Sequence, residues 1–224
     1  DFVVGNLGEN YKFKASAEKP FYVYVSDYDN NGTNDVFLAK TYKNRIVPIR
    51  GKECSTEQLP GLSKKFKTYT EFAQADITSI LDHVDSKSQK HEIQQFQSVF
   101  LKNDSGELTI EPMPYQAQFS TIQGAIIRDF NKDGIEDVLV AGNKFNVEIE
   151  TTRADASIGL LMTGQGQFQF DVCETNVSGV FLPGNVKELK SIRLGKAGLE
   201  EQHGILVGVN DSKIRLLSEN SKAN

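Results

Sequence analysis

Asp129-Phe130-Asn131-Lys132-Asp133-Gly134-Ile135-Glu136-Asp137 runs straight into the apolar stretch Val138-Leu139-Val140-Ala141-Gly142-Asn143. Oxygen-bearing side chains stand at positions one, three, five and nine of this loop. A glycine stands at six, where a tight turn can bring those oxygens onto one centre. The donor set contains no His or Cys and therefore suits a hard cation. A flexible loop able to offer six or more oxygens favours calcium over magnesium, which demands tight octahedral geometry and keeps its waters. The ligands assigned on this spacing are Asp129, Asn131, Asp133 and Asp137 through their side chains and Ile135 through its backbone carbonyl.

A near copy lies about a hundred residues earlier as Asp27-Tyr28-Asp29-Asn30-Asn31-Gly32-Thr33-Asn34-Asp35, followed by Val36-Phe37-Leu38-Ala39. Its assigned ligands are Asp27, Asp29, Asn31 and Asp35, with the carbonyl of Thr33, which makes two calcium sites in all. Each copy sits between two apolar runs, so each loop is expected to join two strands. An EF-hand loop would place a glutamate at position twelve and helices on both sides. Position twelve here is Leu38 or Val140, inside a strand-like run, and that reading fails. The plain alternative is a pair of acidic β-turns, since Asp, Asn and Gly favour turns without any metal; two loops with one spacing, both flanked by strands, argue against it.

These residues resemble the FG-GAP or VCBS repeat of integrin-type β-propellers, in which strand, D-x-D-x-[DN]-G-x-x-D loop and strand recur once per blade. The wider pattern, with Asp1-Phe2-Val3-Val4-Gly5-Asn6-Leu7-Gly8 and Arg153-Ala154-Asp155-Ala156-Ser157, is similar to VCBS-repeat proteins of Bacteroidetes that carry an ASPIC/UnbV-type region. The resemblance spans most of the chain outside 51 to 95. It implies an all-β fold of propeller-type blades and an extracytoplasmic protein, secreted, periplasmic or at the cell surface, where millimolar calcium keeps such loops filled.

The 224 residues suffice for a substantial core. Thirty acidic against 25 basic side chains give a net charge of -5, and nothing concentrates cations along one face, which argues against a nucleic-acid partner. No apolar run reaches the ~18 to 20 residues of a spanning helix, so the chain reads as not membrane-spanning. Its start at Asp1, directly followed by a strand-like run, looks like a cut from a longer polypeptide. Cys54 and Cys173 are too few for a disulfide framework; a pair and two buried thiols both remain open.

Strand and turn signals divide 1 to 224 as one propeller-type domain or fragment. Residues 1–50 with 93–112 form a blade with a leading strand, 51–92 a helical insertion, 119–173 the blade of the second calcium loop, and 180–217 a blade whose connection, Gly195 to His203, lacks spaced carboxylates. Within this plan Asp1 to Gly8 ends a blade, Phe21–Val25, Asp35–Lys40 and Asn44–Ile49 are strands, and Pro48 confines the last to an edge. Ser55 or Thr56 is the expected cap of the first helix and Asp76 of the last. A polar stretch covers Asp82 to Lys90, Ile93 to Leu101 opens a hairpin, and Ser218 to Asn224 is a polar tail. The insertion is a packing cap over one face or a lid over a ligand. About three to four blades are expected, an open arc that a neighbouring chain could complete by self-association.

No catalytic constellation stands out. His83, His91 and His203 have no metal-binding spacing, Ser178-Gly179 lacks the nucleophile-elbow pattern, and no phosphate-binding glycine loop occurs. Arg153 and Asp155 are the one further candidate pair, tying a loop or contacting a ligand. Tyr11, Phe13, Tyr42, Tyr115 and Phe145 lie in or beside predicted loops, where exposed rings would suit a sugar or peptide. The function expected is a calcium-stabilised binding or scaffold module for a protein or glycan partner. The alternative is part of a propeller-fold polysaccharide-active enzyme, a lyase or hydrolase.

Overall fold

The structure is a computed structural model and describes residues 1–81, 88–195 and 203–218. The chain begins with strands β1 (Phe2–Val4), β2 (Phe21–Ser26), β3 (Asp35–Tyr42) and β4 (Arg45–Pro48). Four short helices follow, α1 (Lys52–Gln58), α2 (Leu62–Lys65), α3 (Tyr69–Gln74) and α4 (Ile77–Leu81). Strands β5 (Gln89–Ile93), β6 (Val99–Asp104), β7 (Glu107–Pro112), β8 (Ile122–Arg128), β9 (Asp137–Gly142), β10 (Leu160–Gly166) and β11 (Gln169–Cys173) come next. Helix α5 (Thr175–Ser178) then precedes β12 (Val186–Arg193), β13 (His203–Val209) and β14 (Arg215–Ser218). The protein is mostly β, in four antiparallel sheets of order β4-β3-β2-β5, β1-β6-β7, β8-β9-β10-β11 and β12-β13-β14, none of them closed on itself. No helix among the described residues is long and apolar enough to cross a membrane.

The chain divides into two compact units, 13–95 and 1–12 with 96–224. In 13–95 the period-two alternation of β2 and β3 sets Tyr22 opposite Ala39 and Tyr24 opposite Phe37 on one face. Leu59, Leu62, Phe66, Phe72, Ile77, Ile80 and Leu81 of the helical segment cover that face. Helices of four to seven residues cannot stand alone in water. They are held by this burial, about 1.5–3 kcal/mol for each large side chain. Thr68 and Glu71 form a capping box on α3, and Asp76 Oδ1 accepts the Ser79 amide at 2.8 Å to start α4, as its position predicts. The first helix begins at Lys52 behind Gly51, ahead of the expected Ser55 or Thr56, and Ser55 is instead buried within it. β4 is an edge strand with Pro48 at its end, as proline requires.

The unit 1–12 with 96–224 is three sheets deep. Strand β9 is buried along its whole length, and its alternation serves both sides. Val138 and Val140 join Phe100, Met113, Ile122 and Met162 against the sheet of β1, while Leu139 and Ala141 join Leu161, Leu189, Ile205 and Val207 against the sheet of β12. A strand buried on both faces reads as a continuous apolar run, which is what 138 to 141 is. Gly124 on β8 permits the close approach of β12: a Cβ there would lie 2.8 Å from the Leu189 backbone nitrogen.

Two placements differ from the sequence reading. The hairpin β6-β7 does not join the sheet of β2 to β4; it takes β1 as its third strand, with Phe2 opposite Leu101 and Val4 opposite Val99. The span read as one strand, Ile93 to Leu101, is broken at 94–98: β5, which begins at Gln89 inside the 51–92 expected to be a helical insertion, ends at Ile93 and pairs with β2, and β6 pairs with β1. Of the other sequence assignments, 82–87, 196–202 and 219–224 lie outside the described residues, and with them His83 and most of the connection from Gly195 to His203.

Candidate metal centres

Both acidic loops adopt one conformation. Position four is left-handed in each, Asn30 at φ 58° and Lys132 at φ 66°, and so is the glycine at six, Gly32 at φ 87° and Gly134 at φ 89°. Only glycine takes the second of these without strain, which is why both copies carry it. The first aspartate is the hub. Asp129 Oδ1 accepts the Lys132 amide at 2.6 Å and Asp129 Oδ2 accepts that of Gly134 at 2.9 Å. Asp27 likewise accepts the amides of Asn31 at 2.9 Å and Gly32 at 2.8 Å. At position five, Asn31 Oδ1 accepts the Thr33 amide and Asp133 Oδ1 that of Ile135, both at 2.8 Å.

The ninth-position aspartates close the loops from the far strand. Asp35 Oδ2 accepts the Tyr28 amide at 3.0 Å, and Asp137 Oδ2 accepts the Phe130 amide at 2.8 Å. Asp137 is fully buried, and its Oδ1 accepts the amide of Gly164 on β10 at 2.9 Å, so it pins the corner to the neighbouring strand. Asp1 does the same at the head of β1, where its Oδ1 accepts the Asn103 amide of β6 at 2.8 Å.

In the first loop, carboxylate oxygens of Asp27, Asp29 and Asp35 lie within 4.8 Å of one another. Three carboxylates at that spacing repel one another unless a cation neutralises them. In the second loop the Asn131 side-chain nitrogen donates to Asp133 Oδ2 at 2.7 Å, so a neutral partner holds one of the assigned ligand oxygens. Among the described residues only the first loop brings three carboxylates together, an oxygen-only set of the kind that could hold a hard divalent ion.

Arg153 and Asp155 meet as an exposed ion pair, Nε to Oδ2 at 3.1 Å. The guanidinium also lies 3.8 Å from the centroid of Phe145, and the backbones of Lys144 and Ala154 bond reciprocally alongside. The arrangement closes the base of the 144–154 loop. Among the candidate aromatics, Tyr11 is buried and Phe13 packs on Phe21, while Tyr42 and Tyr115 are exposed. Cys54 and Cys173 are half-buried and are not joined in a disulfide. His91 is exposed on β5. His203 borders a hollow of about 720 Å³ beside the second loop, together with Arg128, Phe130 and Cys173.

One organising residue gave no signal of its own. Asn143, fully buried just past β9, accepts from the Ser120 hydroxyl and the Ser157 amide and donates to the Ser157 and Gly184 carbonyls, which joins three loops. Only its place after the apolar run, where Asn210 stands after β13, hints at the role. Comparison with protein-family models, with curated proteins and with solved structures finds no match to this chain.

Proposed function

We propose that this chain is a calcium-stabilised, extracytoplasmic binding or scaffold module, built of FG-GAP/VCBS-type blades in a partial β-propeller and directed at a protein or glycan partner. The observation that carries the reading is the pair of nine-residue loops: the same left-handed positions, the same hub aspartate and the same closing aspartate, each at a corner between adjacent strands. Asp27, Asp29, Asn31, Asp35 and the Thr33 carbonyl would hold one ion. Asp129, Asn131, Asp133, Asp137 and the Ile135 carbonyl would hold the other. Bound calcium supplies the positive charge that lets three carboxylates share a corner, and it orders the strand connection. The layering of three antiparallel sheets in 1–12 and 96–224 supports the blade assignment.

The hollow lined by Arg128, Cys173 and His203 favours a second reading, part of a polysaccharide-active enzyme. Asp137 borders it too, but both its oxygens already accept backbone amides, so it is not placed as a free base. Glycan-array binding and polysaccharide cleavage, each run in calcium and in chelator, separate the two. Calcium-dependent binding without cleavage supports the module; cleavage lost in Arg128→Ala or His203→Ala supports the enzyme.

A further inference from the structure

Asn31 and Gly32, positions five and six of the first loop, form the one Asn-Gly step in the sequence. In such a step the glycine amide nitrogen can attack the asparagine side-chain carbonyl carbon, because no Cβ on the following residue obstructs the approach. The new N–C bond closes a five-membered succinimide and ammonia leaves. Water then opens the ring at either carbonyl, giving aspartate or isoaspartate. Both residues are exposed, and apart from its chain neighbours nothing lies within 4 Å of the place a Cβ would take on Gly32. Water and room are therefore at hand.

The closed corner ties down both reacting groups. The Gly32 amide, the nucleophile, donates to Asp27 Oδ2 at 2.8 Å. The Asn31 side chain, the electrophile, is turned toward the Thr33 amide, which donates to Asn31 Oδ1 at 2.8 Å. To attack, the Gly32 amide must give up its proton. The carboxylates of Asp27, Asp29 and Asp35, gathered within 4.8 Å of one another, oppose the negative charge that this leaves on nitrogen. Ring closure waits for the bond from Gly32 to Asp27 to break.

We infer that Asn31 is a site of spontaneous deamidation in this chain and that Asp27 restrains it, so that the reaction proceeds through opening of the first corner. Its two products act differently on that corner. In the second loop position five is already an aspartate before glycine. Asp133 Oδ1 accepts the Ile135 amide at 2.8 Å, as Asn31 Oδ1 accepts that of Thr33, and the Gly134 amide donates to Asp129 Oδ2 as that of Gly32 donates to Asp27 Oδ2. An aspartate at 31 therefore fits the corner and adds a carboxylate to it. Isoaspartate routes the backbone through the side-chain carbon and takes the Gly32 amide away from Asp27. The reaction consumes water alone and requires no ion in the loop, so it is independent of the calcium reading.

Incubation of the intact chain in chelator at mildly alkaline pH tests it, with peptide mapping by mass spectrometry to follow the exchange of amide for carboxyl at each asparagine. In urea, Asn31 is expected to react ahead of every other asparagine. In the folded chain it slows, and Asp27→Ala is expected to speed it by about 10- to 100-fold, the range that loss of a hydrogen bond to a charged acceptor supports. Asp35→Ala, which loosens the same corner but leaves the acceptor of the Gly32 amide in place, should speed it less. Asp27→Asn keeps an uncharged acceptor, is expected to fall between wild type and Asp27→Ala, and replaces the latter if circular dichroism shows it unfolded. The inference is overturned if Asn31 reacts no faster in the folded Asp27 variant than in wild type, if Asp35→Ala speeds it equally, or if another asparagine leads in urea.

Discussion

Replacing Asp137 by alanine removes the residue on which the second corner closes. The carboxylate is fully buried and accepts two backbone amides, Phe130 at 2.8 Å and Gly164 at 2.9 Å. Hydrogen bonds to a charged acceptor contribute about 1.5–3 kcal/mol each, and a buried amide left without an acceptor costs about 1–3 kcal/mol. A loss of about 3 kcal/mol or more is expected. At a urea slope of about 2 kcal/mol per M this lowers the midpoint for the unit 1–12 with 96–224 by about 1.5 M. Asp137→Asn keeps one acceptor oxygen and turns an amide group toward the other donor, so it loses roughly half as much. Asp35→Ala, which removes the acceptor of the Tyr28 amide, is the internal comparison and costs about 1.5 kcal/mol. All three measurements are made in chelator, so that only the protein's own hydrogen bonds are read. A loss below about 0.5 kcal/mol for Asp137→Ala would refute the reasoning, since a buried and a part-buried donor cannot both lose their acceptor at so small a cost.

Gly124→Ala places a methyl group 2.8 Å from the Leu189 backbone nitrogen and should lower the stability of the same unit by about 1–3 kcal/mol in urea denaturation; an unchanged midpoint would mean that β12 does not lie against β8. In the unit 13–95, hydrogen bonds from Ser79 and then the Thr78 hydroxyl hold the Asp76 carboxyl below its ordinary range. Because the folded value lies below the unfolded one, that contribution is present above the ordinary carboxylate range and is lost as pH falls through the folded value. The melting temperature of this unit is therefore expected to drop on acidification, with a shallower slope in Asp76→Asn, and equal slopes would contradict the assignment.

Both corners were legible in the sequence because their logic is local. Asp, Asn and Gly at fixed offsets dictate a turn, and the apolar runs on either side dictate strands. The same holds for Asp76 as a cap and Pro48 at an edge. What escaped is non-local. Nothing in Phe2-Val3-Val4 names Val99 to Leu101 as its partner, since any edge of alternating or apolar residues would satisfy a three-residue strand. The start of α1 was missed because Lys52 follows Gly51 with no capping side chain, and burial of Ser55 rather than a local signal sets the helix. The convergence of Asp27, Asp29 and Asp35 was expected from spacing, whereas the Asn131 to Asp133 contact follows from the exchange of Asn and Asp between positions three and five, a difference that the shared pattern conceals.

Isothermal titration of the calcium-free chain with calcium tests the central claim most directly. Uptake of two ions per chain is predicted, falling to one in Asp27→Ala and to one in Asp129→Ala, with dissociation constants of about 10⁻⁴–10⁻³ M as befits extracellular modules. Absence of binding heat at about 10 mM calcium, with no rise in melting temperature, would contradict it.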